Sequence, residues 1–305
     1  MPGAWTVGGL VREGARRFRG ARLAFGHGTT NARDEASWLT LHALGLPLDK
    51  DWRHLREHTA PAAARRVLAL FNRRIRTRKP AAYLTREAWL GGLGFYVDER
   101  VVVPRSHIAG LLDERLAPWI PRPGAVRSAL DLCTGSGCLA ILLALAFPRA
   151  RVDAADLSSS ALAVARINIG RYRLKRRVRP VRSDLFSALR GKQYDVIVSN
   201  PPYVTEGSMR RLPREYRHEP AMGLAAGRDG LDIVRRILEQ APAHLNPGGL
   251  LAVEVGAGRE RVERAFPRLS LAWPETAAGH AVFIVGRDDL PGRGAAPARV
   301  GAARA

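Results

Sequence analysis

The sequence predicts an α/β protein: a seven-stranded, mostly parallel sheet wound with helices on both faces, preceded by a small helical domain and a hairpin linker. Three observations predict it. From about Val126 to Arg287, short apolar runs alternate with helical stretches, the pattern that winds a parallel sheet. Before Lys79 the apolar residues recur at helical spacing only. Between these regions, residues 80–105 mix aromatic and β-branched side chains around Gly91, Gly92 and Gly94, which predicts a hairpin.

The helical region, residues 1–79, contains two clear helices. In "NARDEASWLTLHALG", Asn31 is an N-cap candidate, Asp34 and Glu35 fall in the first turn, and Gly45 follows the last. Trp38, Leu41 and Leu44 share one face. In "PAAARRVLALFNRRIRTRK", Pro61 occupies a favoured first-turn position, and Val67, Leu70, Phe71 and Ile75 form a stripe. The third region, 106–290, supplies the strands "VRSALDL", "ARVDAADL", "VRPVRSDL", "YDVIVS", "GGLLAVEVG", "LAWPE" and "AVFIVG". Residues 291–305 carry no periodicity and no acid, and are expected to be a disordered basic tail.

Composition narrows the function classes. No apolar run approaches the length needed to cross a bilayer and no charged-then-apolar leader is seen, so a soluble, cytoplasmic protein without a membrane partner is expected. The two cysteines, Cys133 and Cys138, have no second Cys/His cluster, so neither a disulfide scaffold nor a metal site is predicted. Lys and Arg number 49 against 28 Asp and Glu, a net charge of +21. Such a surplus favours polyanionic partners, and arginine-rich codon usage produces it equally well.

Chemistry begins at "LDLCTGSGC". A short strand reaches Asp131, then a turn (Cys133, Thr134, Gly135, Ser136, Gly137), then a helix. The glycines let backbone approach a ligand, and the helix start offers free amide donors. The third glycine of a dinucleotide fingerprint is absent, because that position is Ala140. The second strand ends at Asp156, where a carboxylate can accept both hydroxyls of a ribose or cap the next helix, a task Ser158 serves as well. The third ends in "SDLF", placing Asp184 and Leu185 where the acid can accept from an adenine amine. Three polar signals at the carboxyl ends of successive strands converge on one crevice, as an open parallel sheet requires.

The fourth strand ends "SNPPY". Proline breaks the strand, so Asn200, Pro201, Pro202 and Tyr203 form a stiff, donor-poor loop facing the same crevice. Asn200 and the Pro201 carbonyl can hold a planar –NH2 group by both hydrogens, and Tyr203 offers a face for stacking.

With D-x-x-x-G-x-G, an acid ending the second strand and N-P-P-Y ending the fourth, the chain resembles the class I, Rossmann-like methyltransferases that act on amino groups. "GHGT" (Gly26–Thr29), "PAAYLT", "FYVDERVVVPRS" and "YRHEP" make it similar, over about residues 5–288, to the bacterial protein-glutamine methyltransferases. That resemblance implies S-adenosylmethionine as cofactor and a glutamine side-chain amide as acceptor. "PRSHI" and "DLF", in place of the "PRPET" and "DWF" of the release-factor branch, favour the branch acting on large-subunit ribosomal protein three. The release-factor branch is the alternative. A nucleic-acid amino-methyltransferase is a further one, disfavoured by the full-length likeness. One departure is "AAGHAVF" with His280, where that branch tends to carry a Gly-Asp-Gly-like surface turn.

Arg217, His218, Glu219 and Pro220 are candidates to shape the glutamine channel or, equally, to form a salt-bridged structural loop. The stretch Arg166–Arg182 carries eight Lys/Arg and no acid; it suits ribosomal RNA or assembly intermediates as a partner, or a solvated helix end.

Overall fold

The computed structural model describes residues 5–48, 52–276 and 280–290, leaving the predicted tail at 291–305 and Ala277–Gly279 of the "AAGHAVF" turn outside the described residues. It divides into two compact units: Met1–Arg105 with Arg211–Ala221, and Ser106–Arg210 with Met222–Ala305. The segment Arg211–Ala221, expected from the sequence inside the 106–290 domain, therefore folds with the first unit.

The first unit is built on α1 (Val7–Gly20), α2 (Ala32–Leu44) and α3 (Pro61–Thr77), followed by the short α4 (Ala81–Thr85). Asn31 caps α2 by accepting from the amides of Arg33 and Asp34, and Gly45 ends it with φ +67°. Pro61 opens α3. Its buried stripe is Ala64, Val67, Phe71 and Arg74, while Leu70 and Ile75 are only half-buried. Phe71 meets Phe18 edge-on at 5.3 Å. Gly14 makes that crossing close: a Cβ there would stand 2.6 Å from the Phe71 ring. After α4 the hairpin β1 (Ala88–Leu90) and β2 (Leu93–Phe95) turns through Gly91 and Gly92, both at positive φ.

The second unit opens with α5 (Ile108–Asp113) and β3 (Ser128–Leu132). It continues through α6 (Cys138–Ala146), β4 (Arg151–Asp156), α7 (Ser159–Arg171), β5 (Val178–Arg182) and β6 (Tyr194–Ser199). The last elements are α8 (Glu206–Met209), α9 (Asp232–Gln240), β7 (Leu245–Gly256), α10 (Arg259–Ala265) and β8 (Ala281–Gly286). The sheet order is β5-β4-β3-β6-β7-β8, parallel except for β8. Pro180 sits in the edge strand β5, where a missing donor is tolerated. The chain order doubles back between β4-β3 and β6, which makes the carboxyl ends of β3 and β6 the switch point where such sheets bind ligands.

One predicted strand contracts. "LAWPE" forms a single antiparallel bridge, Ala272 to Ile284, on the outer side of β8. Pro274, which lacks an N–H, follows two residues later and stops the ladder. Leu130, Leu132, Ile197, Leu251, Val253 and Phe283 of the sheet pack with Val234, Ile237 and Leu238 of α9 in the core.

Candidate active site

Register brings the predicted residues together. Leu132 pairs with Ala155 on one side and with Ser199 on the other, so Cys133, Asp156 and Asn200 are the next residues of three adjoining strands. The Ser199 hydroxyl donates to the Leu132 carbonyl at 2.9 Å and pins β6 to the start of the glycine turn.

Within that turn each residue has a distinct task. Cys133 takes φ +59°. The Thr134 amide donates to the Ala155 carbonyl, anchoring the turn to β4. The buried Ser136 accepts at its carbonyl from the Asn168 side chain at 2.8 Å. Gly137 takes φ +80°, and a Cβ there would press to 3.0 Å on Ala165 of α7. Gly135 differs: it has φ +54°, and a Cβ would meet nothing within 4 Å. Gly137 serves packing, whereas Gly135 faces open space.

Asp131 is fully buried. One of its oxygens accepts from the Thr134 hydroxyl at 2.5 Å and from the Ala140 amide at 2.9 Å; the other is buried with no hydrogen-bond partner among the described residues. Burial pushes this carboxyl up to about 7, despite those two donors. Asp131 therefore shapes the turn from inside. Asp156 accepts from the Gly135 amide and from the Ser158 amide, both at 2.8 Å, one on each oxygen. Burial raises its pKa against those amides. A carboxylate has about four acceptor positions, so two remain for ligand hydroxyls. The helix α7 is capped by the Ser158 hydroxyl, which leaves Asp156 clear of that task.

Asp184 is exposed and accepts from Arg236 at 2.8 Å; Leu185 beside it is buried at φ +48°. Burial drives the thiols of Cys133 and Cys138 upward, the latter to about 12, so neither is a thiolate near neutral pH.

Asn200 is half-buried, Pro201 is buried, and Pro202 and Tyr203 are half-buried. The backbone of Val204 is held on both sides, its amide by the Leu224 carbonyl and its carbonyl by the Ala226 amide. Two glycines the sequence did not single out seat the tyrosine. Gly230 lies under the Tyr203 carbonyl, where a Cβ would intrude to 2.4 Å. Gly256 lies against the ring, where a Cβ would intrude to 2.6 Å. The signal for Gly256 was its place at the end of the strand "LLAVEVG".

In sequence the chain is similar to a set of relatives. The chain is 54% identical over 294 residues to the ribosomal protein uL3 glutamine methyltransferase of Burkholderia pseudomallei, covering 94% of this chain and 96% of that one. The chain belongs to this family. Enzymes with the same name from Bordetella pertussis and Neisseria meningitidis serogroup B are 52% and 50% identical, covering 93% and 94% of this chain and 96% and 95% of theirs. Residues 114–212 match the model of the methyltransferase small domain. In this uL3 glutamine methyltransferase family member, that match spans the glycine turn, Asp156, Asp184 and the N-P-P-Y loop.

The remaining candidates, Arg217, His218, Glu219 and Pro220, lie in the first unit. There Glu219 accepts both forks of Arg105, at 2.6 and 2.7 Å, and the Val103 amide at 2.9 Å, with His27 at 3.5 Å. Burial works against its charge, but the neighbouring His27 and the hydrogen bonds from Arg105 hold it at about 2. His218 Nε2 lies 2.9 Å from the Thr77 carbonyl, Arg217 is exposed, and Pro220 is half-buried.

Proposed function

We propose that this chain transfers a methyl group from S-adenosylmethionine to the side-chain amide nitrogen of a glutamine in ribosomal protein uL3. The observation that carries the reading is the Asn200–Tyr203 loop, next in register to the glycine turn, with the Tyr203 ring resting on Gly256. The near full-length identity to enzymes of that name supports the substrate.

The crevice suits the cofactor. In a chain of net charge +21, Asp156 lines the carboxyl end of β4 and shares no ion pair with a cation among the described residues. Such a lining favours a cationic ligand. Open space above Gly135 admits a ligand, and Asp156 retains acceptor positions for ribose hydroxyls. Asp184 beside Leu185 would accept from the adenine amine. Bound there, S-adenosylmethionine supplies an electrophilic methyl on sulfur.

An amide nitrogen is a poor nucleophile because its lone pair is delocalised into the carbonyl. The Asn200 side-chain oxygen and the Pro201 carbonyl accept its two N–H bonds and hold the nitrogen so that its lone pair points at the sulfonium methyl, with Tyr203 stacked on the amide plane. Those bonds strengthen as positive charge grows on nitrogen, so they stabilise the transition state more than the ground state. Positioning at near-attack distance contributes roughly 7–11 kcal/mol. The cationic product amide loses its proton to water, so no carboxylate base is needed.

A cytoplasmic location and electrostatic association with ribosomal RNA or assembly intermediates belong to the same proposal, supported by the exposed Arg166, Arg171, Arg173, Lys175 and Arg176. Among the described residues no helix is long and apolar enough to cross a membrane. The test is transfer of labelled methyl into separated ribosomal proteins and release factors. Label in uL3 supports the proposal; label only in a release factor moves the chain to the other substrate.

A further inference from the structure

Three side chains far apart in sequence meet beside the catalytic edge. His107 immediately precedes α5, Glu254 lies near the end of β7, and His280 immediately precedes β8. One potential ligand atom from each lies within 4.8 Å of the others. The two imidazoles stack with centroids 4.9 Å apart and planes at 26°. Glu254 is fully buried, and one of its oxygens accepts from the Ser106 hydroxyl at 2.6 Å and the His107 amide at 2.9 Å.

We propose that His107, Glu254 and His280 form a binding site for a zinc-class divalent metal ion. The donor set decides the class. Two imidazoles and one carboxylate suit zinc, cobalt, nickel, copper or ferrous iron, whereas magnesium and calcium select all-oxygen cages. Three protein ligands hold a tetrahedral ion with solvent in the fourth position. Glu254 is already oriented by the Ser106 hydroxyl and the His107 amide, as a ligating carboxylate needs to be. His107 is half-exposed and His280 exposed, which leaves both side chains room to turn toward a shared ion.

The consequence is a clamp. An ion there cross-links the start of α5, the end of β7 and the entry to β8. Gly256, the seat of the Tyr203 ring, is two residues beyond Glu254. Metal binding thus stabilises the folded unit by mass action and steadies one wall of the crevice. None of this depends on the methyl-transfer reading, and its test reads binding and melting rather than turnover.

The experiment uses the untagged full chain, stripped with chelator and titrated with Co²⁺ and then Zn²⁺. One Co²⁺ per chain with the visible spectrum of a tetrahedral site is expected, displaced by Zn²⁺, with a thermal midpoint that climbs with metal concentration. His280→Ala, at an exposed position, should weaken binding by at least about a hundredfold, leaving the metal-free midpoint unchanged. His107→Ala should do the same, and Glu254→Gln keeps an acceptor for Ser106 while removing the charge. His54→Ala, a surface histidine paired with Glu57 in the first unit, is the control that keeps binding intact. Undiminished binding in a His107→Ala/His280→Ala double variant, or no saturable binding in the parent chain, overturns the proposal.

Discussion

The acids at the carboxyl ends of β3 and β4 are handled differently from the buried glutamates of the first unit, although Asp153, buried in β4, pairs with Arg179 and Lys192 much as those glutamates pair with arginine. In the first unit every buried glutamate faces arginine. Arg74, with no exposed surface, donates to Glu35 at 2.8 Å and lies 3.8 Å from Glu215, which also accepts from Arg78 at 3.0 Å; Glu219 takes the fork of Arg105. In the second unit Asp131 and Asp156 are held by a hydroxyl and backbone amides, and burial raises both. The difference teaches what each arrangement is for. The bidentate Arg105–Glu219 pair and the contacts of Arg74 and Arg78 with Glu215 lock Arg211–Ala221 into its unit. In the second unit a hydroxyl and backbone amides, not cations, hold the acids at the strand ends.

The largest expected effect tests the lock. Arg74→Met leaves Glu35 and Glu215 buried with less compensation and should cost about 3–5 kcal/mol in urea denaturation; a loss below about 1 kcal/mol would show that packing, not charge, holds the segment. Next comes the crevice. Asn200→Ala should lower methyl transfer by about 10²–10³-fold, with cofactor affinity by calorimetry and melting temperature unchanged. Near-normal turnover would remove Asn200 from the mechanism.

pH separates the two regions by sign. Glu219 falls from 4.5 to about 2 on folding, so its stabilisation is present above the unfolded value and lost as pH drops toward 2. Glu219→Gln should flatten that acid limb, which is worth on the order of 3 kcal/mol. Asp131 shifts oppositely, from 3.8 to about 7, so its stabilisation is present below 3.8 and lost as pH rises through 7. Asp131→Asn, which still accepts from Thr134 and Ala140, should gain stability relative to the parent as pH climbs through that window. A melting-temperature difference that stays flat from acid to neutral pH would contradict the buried, uncompensated state of Asp131. The smallest effect is Asp156→Asn. It should weaken cofactor binding by about 1–3 kcal/mol in calorimetry with the fold intact, because it removes the charge and one acceptor at the proposed ribose position.

Much of the molecule was written in local pattern. Asn31, Gly45 and Pro61 mark helix ends through their own backbone chemistry, and Gly91–Gly92 marks the hairpin turn, so those elements were legible from neighbours in sequence. The glycine turn, Asp156 and the N-P-P-Y loop were legible too, because each sits at a strand end and a parallel sheet gathers its strand ends on one edge. "LAWPE" read as a strand and became a single bridge, since Pro274 stops pairing that apolar composition alone suggests.

What only the tertiary structure decided involves partners distant along the chain. Arg74 reads as one more charge in an arginine-rich helix, and its burial follows from Glu35 and Glu215 closing around it. Glu219 reads as part of the chain after the N-P-P-Y loop, yet Arg105 and Val103 claim it for the first unit. His107 and His280 look like isolated substitutions at two turns until β7 sets Glu254 beside both. Spacing along a chain reports periodicity and turn chemistry; it carries no record of which distant side chain supplies the opposite charge or the next ligand, because that is settled by how the elements pack.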